Sequence, residues 1–476
     1  MNIETKKYNL FIPLLLSVCL YFIGLVSGMN NILWSAVIVL FFASCKMAGH
    51  FKEKGILYIL FLISFFVFLL GRNTLYVIVG FRWAYIYDKD YGVLICSSLF
   101  LSLITIYFVF YYFQSNSIVS KKNFYETYPE KTERIFRLTK KLFLLTIPFV
   151  LLVNLERGIY GLTHVYASES YHSVMPFAFK KIAQMNPMFF YIILGTFPSK
   201  RKLFPLAALF VLGSMLTLLG GERGYAVCDC MLIFFYFCWR QLIAIKYSYN
   251  ETWIRKKDII FIGIMAPFGL AFLAFYATLR SKSNDSFGGV GVQMLSFFYQ
   301  QGVSVDNIAR AAYAKDKLPS TNISYTFGPL INWLKSTYIG HKAGFYVPTN
   351  RLENALSGNN LGSTLTYLYE PGYYSIGGGY GTQYISELWC DFGYFGILIY
   401  HIIFGYLIGK ICFVTNKNWI MNAIYICLIR YIIFLPRDFA LNCVGFLSAT
   451  FLLPLLLVHL LAGKDRKYIK LSRVVK

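Results

Sequence analysis

Charge is what this sequence has least of: 14% of its 476 residues are Asp, Glu, Lys or Arg, against 57% hydrophobic residues and a mean hydropathy of +0.55. A soluble chain of this length has no interior large enough for that much apolar surface. A set of water-soluble domains is therefore excluded, and lipid is the solvent that fits. Acidic residues are the scarcer sign, 22 against 45 Lys and Arg, for a net charge of +23. In a soluble protein such a surplus points to nucleic acid. Here the basic residues sit mainly in short segments between apolar runs, where they set topology against anionic lipid headgroups, so no nucleic-acid partner is implied.

Other absences narrow the classes further. Cys19, Cys45, Cys96, Cys238, Cys427 and Cys443 lie inside apolar runs and Cys412 at the end of one, so no disulfide framework is implied. Cys228-Asp229-Cys230 lacks a second ligand cluster and reads as two small buried hydrophobes around an acid; metal-ligand spacing is absent elsewhere, so neither a metal nor any other cofactor is expected. There is no P-loop or dinucleotide fingerprint. No internal repeat is visible, which disfavours a transporter built from two related halves.

What is present is a succession of apolar runs, near 9–28, 31–49, 56–71, 92–113, 141–155, 186–198, 203–220, 224–239, 258–279, 383–409, 419–435 and 440–462. The first lacks a small-x-small cleavage site and reads as a retained helix. Placing the N-terminus in the cytoplasm gathers the basic clusters on the cytoplasmic side, with both termini inside. The expected fold is all-α, a polytopic transmembrane bundle of about 12 helices with one large extracytoplasmic loop. Residues 1–280 hold the first nine spans, 281–381 the loop, and 382–476 the last three spans and the tail. The loop carries Trp333, Tyr338, Tyr346, Tyr367, Tyr373 and Tyr380, a composition that argues for order. Residues 292–314 have mixed amphipathic character and predict a helix resting on the bundle.

Charges at the ends of spans mark candidate sites. Gly220-Gly221-Glu222-Arg223 lies at one junction, Arg280 closes span nine, and Leu435-Pro436-Arg437-Asp438 precedes span twelve. The topology brings Arg223, Arg280 and Arg437 to one membrane face, and Arg310 and Arg351 lie in the loop. Guanidinium forks bind phosphate oxygens bidentately and stay charged, so several together suit a diphosphate. Taken singly, each has an alternative: snorkelling to headgroups, or local pairing of Arg437 with Asp438 and of Arg223 with Glu222. Glu387 and Asp391 are four apart on one helix face, placed for general-base work or sugar hydroxyls, or simply for the helix dipole. His341 in the loop is a second candidate base or a surface residue. Arg430 lies within span eleven, and His164 and His172 in another outer loop.

Gly-Gly-Glu-Arg at 220–223, Arg280, Ser386-Glu387 running through Gly393 to Gly396, and Arg437-Asp438, in that order around a large loop, resemble the O-antigen polymerases, the Wzy-type oligosaccharide repeat-unit polymerases. The related O-antigen ligases carry a His nine residues and one polar position before Gly-x-x-Gly; Thr382 stands in that place here, which argues against a ligase. The resemblance implies a glycosyltransferase that joins undecaprenyl-diphosphate-linked oligosaccharides into O-antigen or capsular polysaccharide on the outer face of the bacterial cytoplasmic membrane. A chain-length regulator is a further implied partner. On that reading Arg223, Arg280 and Arg437 hold diphosphates, Glu387 or His341 serves the acceptor hydroxyl, and Asp438, Asp391, Arg310 and Arg351 support the sugars. A lipid-linked oligosaccharide flippase is the alternative from a different class.

Overall fold

A computed structural model of the chain describes residues 3–79, 89–115, 129–163, 173–220, 223–246, 250–281, 290–348, 350–411 and 419–464. Every one of the twelve apolar runs falls on a helix, and no strand occurs among the described residues. Nine helices among them are long and apolar enough to cross a membrane, from Leu10–Ser27 to Trp419–Arg437, and Ala449–Ala462 is a shorter apolar one. The protein is a multi-pass helical membrane protein. Lipid explains why helices are the only solution: each buries its own backbone hydrogen bonds within one segment. It also explains side chains such as Val26, Phe42 and Leu145, which are apolar and exposed on helices long enough to span. Glu222, His164, His172 and the tail after Lys464 lie outside the described residues.

The chain forms two compact units. The first comprises residues 1–117, 237–413 and 432–442. Its helices Ile3–Ser27, Asn30–His50, Lys89–Ser115 and Tyr384–Ile411 pack in succession. Two polar side chains tie them: Ser17 donates to the Ala36 carbonyl at 2.8 Å, and the Tyr107 hydroxyl to that of Leu10 at 3.1 Å. Helix Tyr384–Ile411 is broken at Gly393, whose φ of 61° and ψ of −151° a side chain would not tolerate. The second unit comprises residues 118–236, 414–431 and 443–476, with helix Pro129–Thr163 packed against Phe177–Gly195, Lys200–Leu219 and Ala449–Lys464. The last apolar run begins helical only at Ala449, after a 3-10 segment Asn442–Leu447. Gly445 there sits so close to Tyr431 that a Cβ would lie 2.6 Å from the phenol oxygen.

The segment expected as an ordered loop belongs to the first unit and is built of short helices. Its abundant Asn, Ser and Thr act as caps and pins. Asn350 and Asn360 accept from the backbone N–H groups of Glu353 and Ser363 and start two helices. Asn322 and Asn359 exchange bonds across the fold, Asn359 Oδ1 taking the Ile323 N–H at 2.7 Å and Asn322 Oδ1 the Asn359 N–H at 2.8 Å. Underneath lies a small apolar core of Ala311, Ala314, Tyr325, Leu361 and Leu365. The amphipathic stretch is two helices, Val290–Gln301 and Asp306–Tyr313, separated by a 3-10 turn Gly302–Val305.

Candidate functional site

The helix that begins at Ile56 contains one π-helical turn, Phe66–Leu70, before continuing as Gly71–Val79. Such a turn inserts an extra residue and re-aims the rest of the helix, often at functional sites. Here the residue soon after it is Arg72. The 3-10 turn at 302–305 meets Arg72 at backbone range: a Cβ on Gly302 would fall 2.5 Å from Arg72 Cβ. That contact is why the amphipathic stretch breaks at Gly302. The next helix opens with Asp306 and carries Arg310 one turn later on the same face.

These elements assemble a cluster. Asp306 Oδ2 lies 3.5 Å from Arg72 Nη2 and 3.9 Å from Arg310 Nη2. Arg72 also donates to the Tyr299 hydroxyl at 3.0 Å. Arg310 Nη1 donates to Asn307 Oδ1 at 3.2 Å, and its guanidinium carbon stands 3.7 Å from the centre of the Tyr380 ring. Tyr380 is held by its own N–H to Thr366 Oγ1 and by its hydroxyl to Glu370 Oε1. Asn307 Nδ2 donates to the Gly381 carbonyl at 2.9 Å. Arg437, at the end of the 3-10 turn Leu435–Arg437, donates to Gln301 Oε1 and passes close enough to Gly381 that a Cβ there would be 3.7 Å from its Nε. Arg72 and Arg310 thus flank a carboxylate that is 1% exposed, and Arg437 reaches the neighbouring residues Gln301 and Gly381. Burial lifts Asp306 to about 6 in spite of the two arginines, which pull the other way. Asp438 is also raised to about 6 by burial, opposed by bonds from the Phe439 N–H and Asn442.

The other residues singled out from sequence have distinct placements. Arg351 donates to the Gly378 carbonyl at 3.1 Å and lies over the Tyr374 ring, fastening the glycine run 377–379. Asp391 accepts from Ser324 Oγ at 2.6 Å and from the Thr326 N–H at 2.7 Å, so it anchors the large segment to helix Tyr384–Ile411. Asp438 holds its own turn through Phe439 and Asn442. Glu387 is fully buried; its Oε2 takes the Ala440 N–H at 2.9 Å, joining its helix to the turn that carries Arg437. His341 is exposed on the short helix Tyr338–Lys342. Arg223 begins helix Arg223–Lys246 in the second unit. Arg280 lies near the end of helix Lys256–Ser281, and its side chain is outside the described residues.

Sequence reasoning missed Arg72 and Asp306. Arg72 had a signal, since it directly follows the apolar run 56–71 just as Arg280 follows its own. Asp306 had none, because its burial depends on contacts far along the chain. The acid of Cys228-Asp229-Cys230 also finds its partner only in three dimensions. Within the second unit Asp229 Oδ1 lies 3.3 Å from Arg430 Nε, Ser214 Oγ donates to Asp229 Oδ2 at 2.5 Å, and Arg430 donates to the Tyr191 hydroxyl.

Chemically, the first unit's cluster offers several guanidinium forks to an anionic group, with tyrosine faces beside them for apolar or sugar surfaces. No curated protein and no solved structure matches the chain. The profile of one family, described as O-antigen polysaccharide polymerase Wzy, matches residues 9–464, nearly the whole chain, and the protein belongs to that family.

Proposed function

We propose that the protein joins undecaprenyl-diphosphate-linked oligosaccharide repeat units by glycosyl transfer at the outer face of the cytoplasmic membrane, and that the cluster of Arg72, Arg310 and Arg437 holds the donor diphosphate. The observation that carries this is the meeting of Arg72 and Arg310, from distant parts of the sequence, at one carboxylate beside Tyr299 and Tyr380, with Arg437 reaching the adjoining Gln301 and Gly381. A glycosyl diphosphate brings its own leaving group. When the bond from the anomeric carbon to the phosphate oxygen breaks, negative charge builds on the diphosphate. Fixed guanidiniums stabilise that charge without reorganising, and one such contact is worth about 3–4 kcal/mol, or roughly 100- to 1000-fold in rate. The sugar passes through an oxocarbenium-like state, as glycosyl transfer generally does.

Two lipid-linked chains must be held in each turnover. Arg223 and Arg280, both at helix ends, are assigned to lipid diphosphates as well. Arg351 and Asp391 act on the sugars indirectly, by keeping the glycine run and the large segment in place. Because the chain itself supplies the cationic charge, the reaction needs neither metal nor nucleotide. Purified protein is therefore given a lipid-diphosphate-linked repeat unit in the presence of EDTA, and both polymer and released lipid diphosphate are measured. Polymer is the expected product. Failure to form any, with folded protein and intact substrate, overturns the assignment. A chain-length regulator added to the same assay is expected to change the length distribution without being required for bond formation.

A further inference from the structure

We propose that Asp306 is the general base for the acceptor hydroxyl, masked by Arg72 and Arg310 until the donor diphosphate replaces it as their anion. This rests on the polymerase reading and names the group that reading leaves open.

The first ground is how loosely this carboxylate is held. Asp306 is buried at 1% exposure, and neither of its oxygens has a hydrogen-bond partner among the described residues. Its approaches to Arg72 and Arg310, 3.5 and 3.9 Å, are well beyond the roughly 2.7–2.9 Å of a charge-assisted hydrogen bond. The acids on helix Tyr384–Ile411 are held differently. Asp391 takes a hydroxyl and backbone N–H groups, and Glu387 takes the Ala440 N–H. A buried charge with neither hydrogen bonds nor close partners is costly to a fold. It suits a group whose partners come and go.

The second ground is competition. A diphosphate offers several oxygens to a guanidinium fork, whereas Asp306 offers one oxygen at long range. Arg310 is braced by Asn307 and the Tyr380 ring, and Arg72 by Tyr299, so each can exchange its anion without losing its place. Once the arginines engage the diphosphate, the carboxylate loses the charges that depress its proton affinity. Burial has already lifted it to about 6. It becomes a stronger base when the donor is in place, which also protects an empty site from unproductive chemistry.

The third ground is the position of the two candidates drawn from sequence. Glu387 is as enclosed as Asp306 but has one oxygen committed to Ala440 and so to holding two elements together, and His341 is exposed on a separate short helix. In the proposed step the acceptor O–H bond breaks and its proton goes to a carboxylate oxygen of Asp306. The acceptor oxygen bonds to the anomeric carbon, the bond from that carbon to the diphosphate oxygen breaks, and its electron pair stays with the diphosphate. Asp306 then releases its proton to water.

The test uses full-length protein in proteoliposomes, with undecaprenyl diphosphate as binding probe and the lipid-linked repeat unit as substrate. Asp306→Asn is expected to bind the probe at least as tightly as wild type, since a competing anion is gone, while polymer formation falls about 100-fold or more. Asp306→Glu is expected to restore part of the rate and to shift the acid limb of the pH–rate profile. Arg72, Arg310 and Tyr299 surround the carboxylate, and burial pushes the Tyr299 phenol above its usual value. Activity of Asp306→Asn within a few-fold of wild type overturns the proposal. So does loss of probe binding together with activity in both variants, which marks Asp306 as a mere support for the arginines. Neither result touches the polymerase reading, which fails only if wild-type protein makes no polymer.

Discussion

The ring of Tyr380 lies under the guanidinium of Arg310, 3.7 Å from ring centre to guanidinium carbon, and its hydroxyl reaches Glu370. The pair sets where one of the site's charges stands. Tyr380→Phe keeps the ring under Arg310 and loses the link to Glu370, so polymer formation is expected within a few-fold of wild type. Tyr380→Ala removes a cation–π contact worth about 0.5–2 kcal/mol and frees Arg310 to wander. A rate loss of about 10-fold or more is expected. Equal activity of both variants in the reconstituted assay contradicts a positioning role.

Gly302→Ala tests the close approach that puts Arg72 beside Asp306. The added methyl meets Arg72 Cβ and backbone, so the turn and the helix carrying Arg72 must separate. Overpacking of this kind costs about 1–3 kcal/mol. Thermal unfolding in detergent should show a lowered midpoint, and undecaprenyl diphosphate should bind more weakly in the fraction that remains folded.

The Asp229–Arg430 pair predicts stability of the second unit, separately from chemistry. Asp229 is buried and Arg430 is 23% exposed, so removing the arginine, which strands the buried carboxylate, costs more than the reverse, up to about 3–5 kcal/mol. Asp229→Asn and Arg430→Met should each lower yield and unfolding midpoint, whereas the double variant should recover part of the loss. Additive losses, read from thermal unfolding, would show that the two do not act as a pair.

The pH dependence of stability comes from Asp306 and Asp438, both raised by burial from 3.8 to about 6. A native state that holds a proton more tightly than the unfolded chain is favoured at low pH. That contribution is full below about 4 and fades as pH rises through about 6. The wild-type unfolding midpoint should therefore fall between pH 4 and 7 relative to Asp306→Asn measured alongside. A flat difference between the two across that range would remove the basis for a strained carboxylate.

Much of the fold was legible in the sequence for a simple reason: in lipid each span must satisfy its own backbone, so an apolar run of sufficient length is already a helix. The twelve runs and their helices agree on that account. The aromatics pointed to the short helices described within 290–348 and 350–381, although the caps at Asn350 and Asn360 gain meaning only beside the turns they close. The candidate site was half legible. Arg437 and Arg310 stood out as charges near spans or in the loop, and Arg72 obeys the same rule at the end of an apolar run. Asp306 could not be read, because nothing local distinguishes it from a solvated acid. Its partner Arg72 lies 234 positions earlier in the chain, just after a π-helical turn that leaves no trace in residue spacing.

The most direct measurement is the initial rate of polymer formation by Arg72→Ala, Arg310→Ala and Arg437→Ala in proteoliposomes containing EDTA, paired with inhibition by undecaprenyl diphosphate. Each variant should be slower by about 100- to 1000-fold and should lose sensitivity to the inhibitor, with lysine in place of Arg437 restoring little because a point charge lacks the fork. Long polymer at wild-type rates from all three, with inhibition unchanged, would contradict a diphosphate held by these arginines.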